Sequence, residues 1–93
     1  MITVHFFLSG RVQGVGFRRF VSSCASTHSI CGWVRNTQDD RVEISATGEI
    51  KNIAPFLQEC QKGPLFARVD DIQFVNEPEI SSAENSSRFF ILR

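Results

Sequence analysis

The sequence predicts an α+β fold: a two-layer sandwich in which two helices cover one face of a largely antiparallel sheet, in the order β-α-β-β-α-β. Three observations carry this prediction. Apolar and polar residues alternate over 2–8 and 42–47, the period of a strand with one buried face. Apolar residues recur at helical spacing over 17–28 and 53–60. Turn and stop residues, Thr37-Gln38-Asp39-Asp40 and Gly63-Pro64, fall between these runs. With 93 residues there is room for one small core, so 1–93 reads as a single domain.

In the first strand Ile2, Val4, Phe6 and Leu8 face the core, and Thr3, His5, Phe7 and Ser9 face away. In the first helix Phe17, Phe20, Val21, Cys24, Ala25 and His28 form the inner stripe. Arg18, Arg19, Ser22, Ser23, Ser26 and Thr27 lie opposite, so Arg18 is expected to point away from the core beside a buried Phe17. Ile30 to Asn36 reads as a second strand and Val42, Ile44 and Ala46 mark a third, the two forming a hairpin. Ile53, Phe56, Leu57 and Cys60 mark a second helix that stops at Gly63-Pro64. Proline is best tolerated in a first helical turn, so Pro55 places the helix start near Asn52 as N-cap. Ala67, Val69, Ile72 and Phe74 form a fourth strand, and the parity change between Val69 and Ile72 implies a bulge. The polar residues 76–87 read as a loop, and Phe89 to Leu92 as a short last strand.

The stretch Gly10-Arg11-Val12-Gln13-Gly14-Val15-Gly16-Phe17-Arg18 joins the first strand to the first helix. Glycines let successive backbone N–H groups converge, and the first turn of a helix adds unpaired N–H groups of its own. Arg18 contributes a planar fork of donors matched to phosphate oxygens. Arg18 and Arg19 at a helix N-terminus oppose the macrodipole, which favours acidic residues there by roughly 0.3–1 kcal/mol. A bound anion reverses that penalty. The spacing is neither the Walker pattern nor a dinucleotide fingerprint, and by itself it leaves two readings open: an anion cradle, or an ordinary glycine-rich turn with a solvated arginine.

Formal net charge is zero, yet residues 1–41 hold five arginines against Asp39 and Asp40. That asymmetry suits a small anionic ligand rather than a long polyanion, so no nucleic acid partner is expected. No apolar run approaches the roughly 18 residues of a membrane span, and the N-terminus lacks signal-peptide features, so the expected location is the cytoplasm, away from membranes. Cys24, Cys31 and Cys60 are odd in number and lack metal-ligand spacing; they read as buried thiols, with neither a disulfide framework nor a metal site. His5 and His28 read as structural.

The sequence resembles the acylphosphatases over nearly its whole length. Residues 10–18 look like that family's phosphate-binding signature, and Gly32-Trp33-Val34-Arg35-Asn36 is similar to its second signature. Val42-Glu43, Gly48-Glu49, Gly63-Pro64 and Ala67-Arg68-Val69 also fall where family members have them. The resemblance implies a ferredoxin-like sandwich that hydrolyses carboxyl–phosphate bonds of small acyl phosphates without metal or organic cofactor. It implies that Arg18 binds the phosphate together with backbone N–H groups of Gln13, Gly14, Val15, Gly16 and Phe17, and that Asn36 orients the attacking water. Read alone, Asn36 is an ordinary strand-end residue. Alternation puts Trp33 on the opposite face from Asn36. The chain departs from the pattern at Asp40, where glycine is usual, at Leu92-Arg93, which extend past the usual ending, and at Pro55. The alternatives are a carbamoyl-phosphate-handling module, a non-catalytic small-anion-binding module of the same fold, and a single-stranded RNA-binding module, which shares the topology. A monomer is expected.

Overall fold

The structure, a computed structural model, describes residues 1–75, 77–80 and 88–93. Its elements are β1 (Ile2–Arg11), α1 (Phe17–Thr27), β2 (Cys31–Asn36), β3 (Val42–Gly48), α2 (Ile50–Lys62), β4 (Arg68–Phe74), β5 (Glu79–Ile80) and β6 (Phe89–Ile91). The sheet order is β4-β1-β3-β2-β6, antiparallel throughout except that β6 runs parallel to β2. Both helices pack on one face of this sheet, giving the ferredoxin-like sandwich.

The alternating residues sort as their period requires. Val4, Phe6 and Leu8 of β1, Val34 of β2, and Val42, Ile44 and Ala46 of β3 are buried beneath Phe17, Val21, Cys24 and Ala25 of α1 and Ile53, Phe56 and Cys60 of α2. Burying a large apolar side chain contributes about 1.5–3 kcal/mol, so Phe6, Phe17 and Phe56, all essentially inaccessible, lead the core. No helix among the described residues is long and apolar enough to cross a membrane.

The bulge expected in the fourth strand is present. Ser9 pairs with Asp71 and Gly10 with Val69, leaving Asp70 as the extra residue. At the shift Gly10 has φ 127°, and a Cβ there would lie 2.2 Å from the Arg68 carbonyl oxygen, so only glycine fits. Asp40 has φ 68°, the left-handed conformation that aspartate tolerates in place of glycine.

Two expectations about the elements are corrected. Helix α2 begins at Ile50, with Glu49 and not Asn52 as N-cap; the Asn52 and Ile53 amides donate to the Glu49 carbonyl at 2.9 and 3.1 Å. Pro55 therefore lies in the second turn. Its missing N–H leaves the carbonyl of exposed Lys51 to water, while the extra turn seats Ile53 in the core. Within the expected loop 76–87, Glu79–Ile80 is a strand pairing with Ile2 and Thr3 of β1. It continues the line of β4 along β1, after Val75 donates to the His5 carbonyl at 2.9 Å. Backbone pairing needs no apolar alternation, which is why the polar sequence concealed it. The rest of that loop, Asn76 and residues 81–87, lies outside the described residues.

On the uncovered face of the sheet Glu43 is buried between Arg35 and His5. Arg35 Nε donates to Oε1 at 2.6 Å, and His5 Nε2 lies 2.6 Å from Oε2. Burial alone would raise the Glu43 pKa, but the hydrogen bonds from Arg35 and His5 outweigh it and hold the carboxyl below its ordinary value. Trp33 packs edge-on to His5, 5.7 Å between ring centroids, on this outer face as alternation predicts. His28 pairs with Glu59 at 2.8 Å. Cys24 and Cys60 are buried as expected, whereas Cys31 is only half-buried.

Candidate active site

Beyond β1 the buried Val12 pins the chain to the core, and residues 13–16 turn back toward α1. Gly14 and Gly16 have φ of 74° and 77°; apart from their chain neighbours, no atom of the described residues lies within 4 Å of where their Cβ atoms would be, so it is the left-handed backbone that calls for glycine here. Gly16 occupies the N-cap of α1 without a side-chain cap, and the first turn contains no acidic residue. The helix ladder opens with the Phe20 amide donating to the Gly16 carbonyl at 3.1 Å. No hydrogen bond among the described residues takes up the amides of residues 14–19. The buried Phe17 ring holds the helix start in place. The result is a row of free donors at a positive helix end, flanked by Arg18 and Arg19, and it is suited to an anion.

Arg18 is half-buried, and its Nη1 donates to the Leu92 carbonyl at 2.9 Å. That carbonyl is itself fixed, because the Leu92 amide donates to the Val34 carbonyl of β2 at 2.8 Å. The guanidinium is thus oriented by one edge, with the other N–H groups of its fork left for a ligand. An open concavity of about 930 Å³ brings Gly14, Gly16, Phe17 and Arg18 together with Asn36, and Arg19, Ile91 and Arg93 complete its wall.

Asn36 ends β2, paired with Val42. Its Oδ1 is buried and has no hydrogen-bond partner among the described residues. An unsatisfied buried acceptor costs about 1–3 kcal/mol, and beside a polar concavity it is a place for a donor such as a water. An amide can hold such a water in a set direction without titrating.

Two of the expected cradle residues turn their side chains elsewhere. Gln13 Nε2 donates to the carbonyls of Thr37 and Arg41, each at 2.9 Å, and Val15 packs against the core; neither lines the concavity, so only their backbones belong to the cradle. Conversely, the Leu92 carbonyl and the side chains of Ile91 and Arg93 were not expected at the site. Leu92 and Arg93 stand out in the sequence only as an extension, and a contact spanning 74 residues leaves no local signal.

The cysteines stand apart from this site. Burial, with a hydrogen bond to Glu59 and that residue's charge, pushes the Cys24 thiol up to about 11, and burial raises Cys60 further. Among the described residues, no group of three or more His, Cys, Asp or Glu side chains is placed to hold a metal ion.

The acylphosphatase family model matches residues 4–91. An acylphosphatase of Clostridium acetobutylicum is 48% identical over 83 residues, which span 89% of this chain and 88% of that protein. The crystal structure of acylphosphatase from Bacillus subtilis superposes with a TM-score of 0.89, at 39% identity, over 100% of both chains. The HypF structure from T. kodakarensis matches with a TM-score of 0.81 at 33% identity, over 100% of this chain but only 12% of HypF.

Proposed function

The chain belongs to the acylphosphatase family, and from that premise we propose that it hydrolyses the carboxyl–phosphate bond of acyl phosphates at the concavity between the glycine cradle and Asn36. The observation that carries this reading is the juxtaposition of two unsatisfied sets of groups. Free amides and the Arg18 fork line the concavity together with Asn36, whose buried Oδ1 has no partner among the described residues.

In this mechanism the phosphate sits against the amides of Gln13, Gly14, Val15, Gly16 and Phe17, with Arg18 bridging its oxygens. Asn36 Oδ1 accepts a hydrogen bond from a water and directs its oxygen at phosphorus. The new P–O bond forms as the bond to the acyl oxygen breaks, the carboxylate leaves with the electron pair, and a phosphate oxygen takes the water's proton. A mixed anhydride has a good leaving group, so positioning and charge stabilisation suffice without a protein nucleophile or general base.

On this reading residues 1–93 work as one monomeric, cytoplasmic domain on a small-molecule substrate, without metal, cofactor, membrane or nucleic acid. Zero net charge with its basic excess confined to the cradle half supports a compact anionic substrate. Correspondence at 39% identity over the full length of the Bacillus subtilis acylphosphatase supports hydrolysis over mere anion binding.

Hydrolysis of benzoyl phosphate in the presence of a chelator tests the proposal. Turnover by the parent protein, abolished in folded Arg18→Ala and strongly lowered but still measurable in folded Asn36→Ala, is the expected result. A folded parent that binds phosphate without turnover would instead be a non-catalytic anion-binding module.

A further inference from the structure

Gln13 carries the cradle's neighbour to Gly14 in its backbone, yet its side chain leaves the concavity. Its Nε2 donates both hydrogens to the β2–β3 turn, to the Thr37 and Arg41 carbonyls at 2.9 Å each. Thr37 follows Asn36 and Arg41 precedes Val42, and Asn36↔Val42 is the last pair of the β2–β3 ladder. One amide therefore straddles the residues flanking that pair. The turn is also closed on itself, by the Thr37 amide to the Arg41 carbonyl at 2.9 Å and by the Arg41 amide to Thr37 Oγ1 at 3.0 Å. Its local shape does not need Gln13. What Gln13 adds is a fixed separation between the cradle and a turn whose Thr37 and Arg41 lie 24 and 28 residues further along the chain.

We propose that Gln13 is a positioning residue that sets the distance and angle between the phosphate cradle and the water held by Asn36. This rests on the reading of Arg18 and Asn36 given above. Because the phosphate contacts come from backbone amides and Arg18, loss of the clamp leaves phosphate binding in place and misdirects the water. A misplacement of about 1 Å costs up to about 100-fold in rate.

The test uses Gln13→Met, which keeps length and packing and removes both donors. Benzoyl phosphate turnover and competitive inhibition by inorganic phosphate are measured in the parent, Gln13→Met, Asn36→Ala and the double variant. The expected result is a kcat lower by about 10- to 100-fold, with the phosphate inhibition constant within about twofold of the parent's. In the Asn36→Ala background the same change should cost no more than about twofold, because residues acting through one group are not additive. A full additional loss in that background, or a phosphate constant that weakens in step with kcat, overturns the proposal. If Gln13→Met does not fold, Gln13→Glu serves: ionised, it offers the two carbonyls no donor, and protonated it offers one. Its kcat relative to the parent should then rise as pH falls, and a flat ratio overturns the proposal. A parent without turnover, or an Asn36→Ala variant as fast as the parent, would instead remove the reading on which the inference stands.

Discussion

Arg18 donates through Nη1 to the main-chain carbonyl of Leu92 at 2.9 Å, joining the first turn of α1 to the end of the strand that borders β2. A hydrogen bond to a charged group contributes about 1.5–3 kcal/mol, and a guanidinium released to water recovers part of it. Removing Leu92 and Arg93 should therefore lower kcat/KM for benzoyl phosphate by about tenfold, with the fold retained by circular dichroism. Unchanged kcat/KM would show that Arg18 needs no such fixed point.

Phosphate should stabilise the protein through the free amides of the cradle. A ligand at 100 times its Kd contributes about 2.7 kcal/mol, which for a domain of this size raises Tm by about 10 °C or more. Arg18→Ala should lose most of the shift. Thermal melts with phosphate and with chloride at equal ionic strength check this, since a shift common to both salts would be non-specific.

Glu43 links stability to pH. Its folded pKa is depressed, against the opposing effect of burial, by hydrogen bonds from Arg35 and His5. A depressed carboxyl contributes stability that is fully present above its unfolded pKa, near 4.3, and is lost as pH falls through the folded value. Glu43→Gln should be less stable than the parent at pH 7 by about 2 kcal/mol, and the gap should close toward pH 3. Urea midpoints at the two pH values measure it; a gap independent of pH would place the effect in packing.

Pro55 breaks the α2 ladder in its second turn. Proline in a helix interior is about 3 kcal/mol less favourable than alanine, and less so near an end. Pro55→Ala should raise stability by about 1–2 kcal/mol, or Tm by about 4–16 °C, with kcat unchanged. A lower Tm would mean that the ring's own packing outweighs the restored hydrogen bond.

Thiol reactivity should follow burial. Cys24, pushed up to about 11, and the deeper Cys60 resist modification in the native protein, whereas half-buried Cys31 does not. Titration with an aromatic disulfide at pH 8 should count about one fast thiol in the native chain and all three in denaturant. Fast labelling at Cys24 would reveal local opening of α1.

Strands at 2–11 and 42–48 and helix α1 were legible because each repeats an apolar period within a few residues. The start of α2 was not: a rule about proline in isolation pointed to Asn52, and the core's demand for Ile53 overrode it. Strand β5 escaped notice because two residues of backbone pairing leave no apolar period in the sequence.

By itself the sequence determined the order of the elements apart from β5, the glycine-rich turn after β1 and an arginine-bearing helix start, because each is set by residues adjacent in the chain. Tertiary structure alone decided what those donors face. The Arg18–Leu92 bond, the Gln13 clamp on Thr37 and Arg41 and the stranded oxygen of Asn36 each depend on separate segments meeting, and the strand register that brings them together is fixed by burial of the core as a whole.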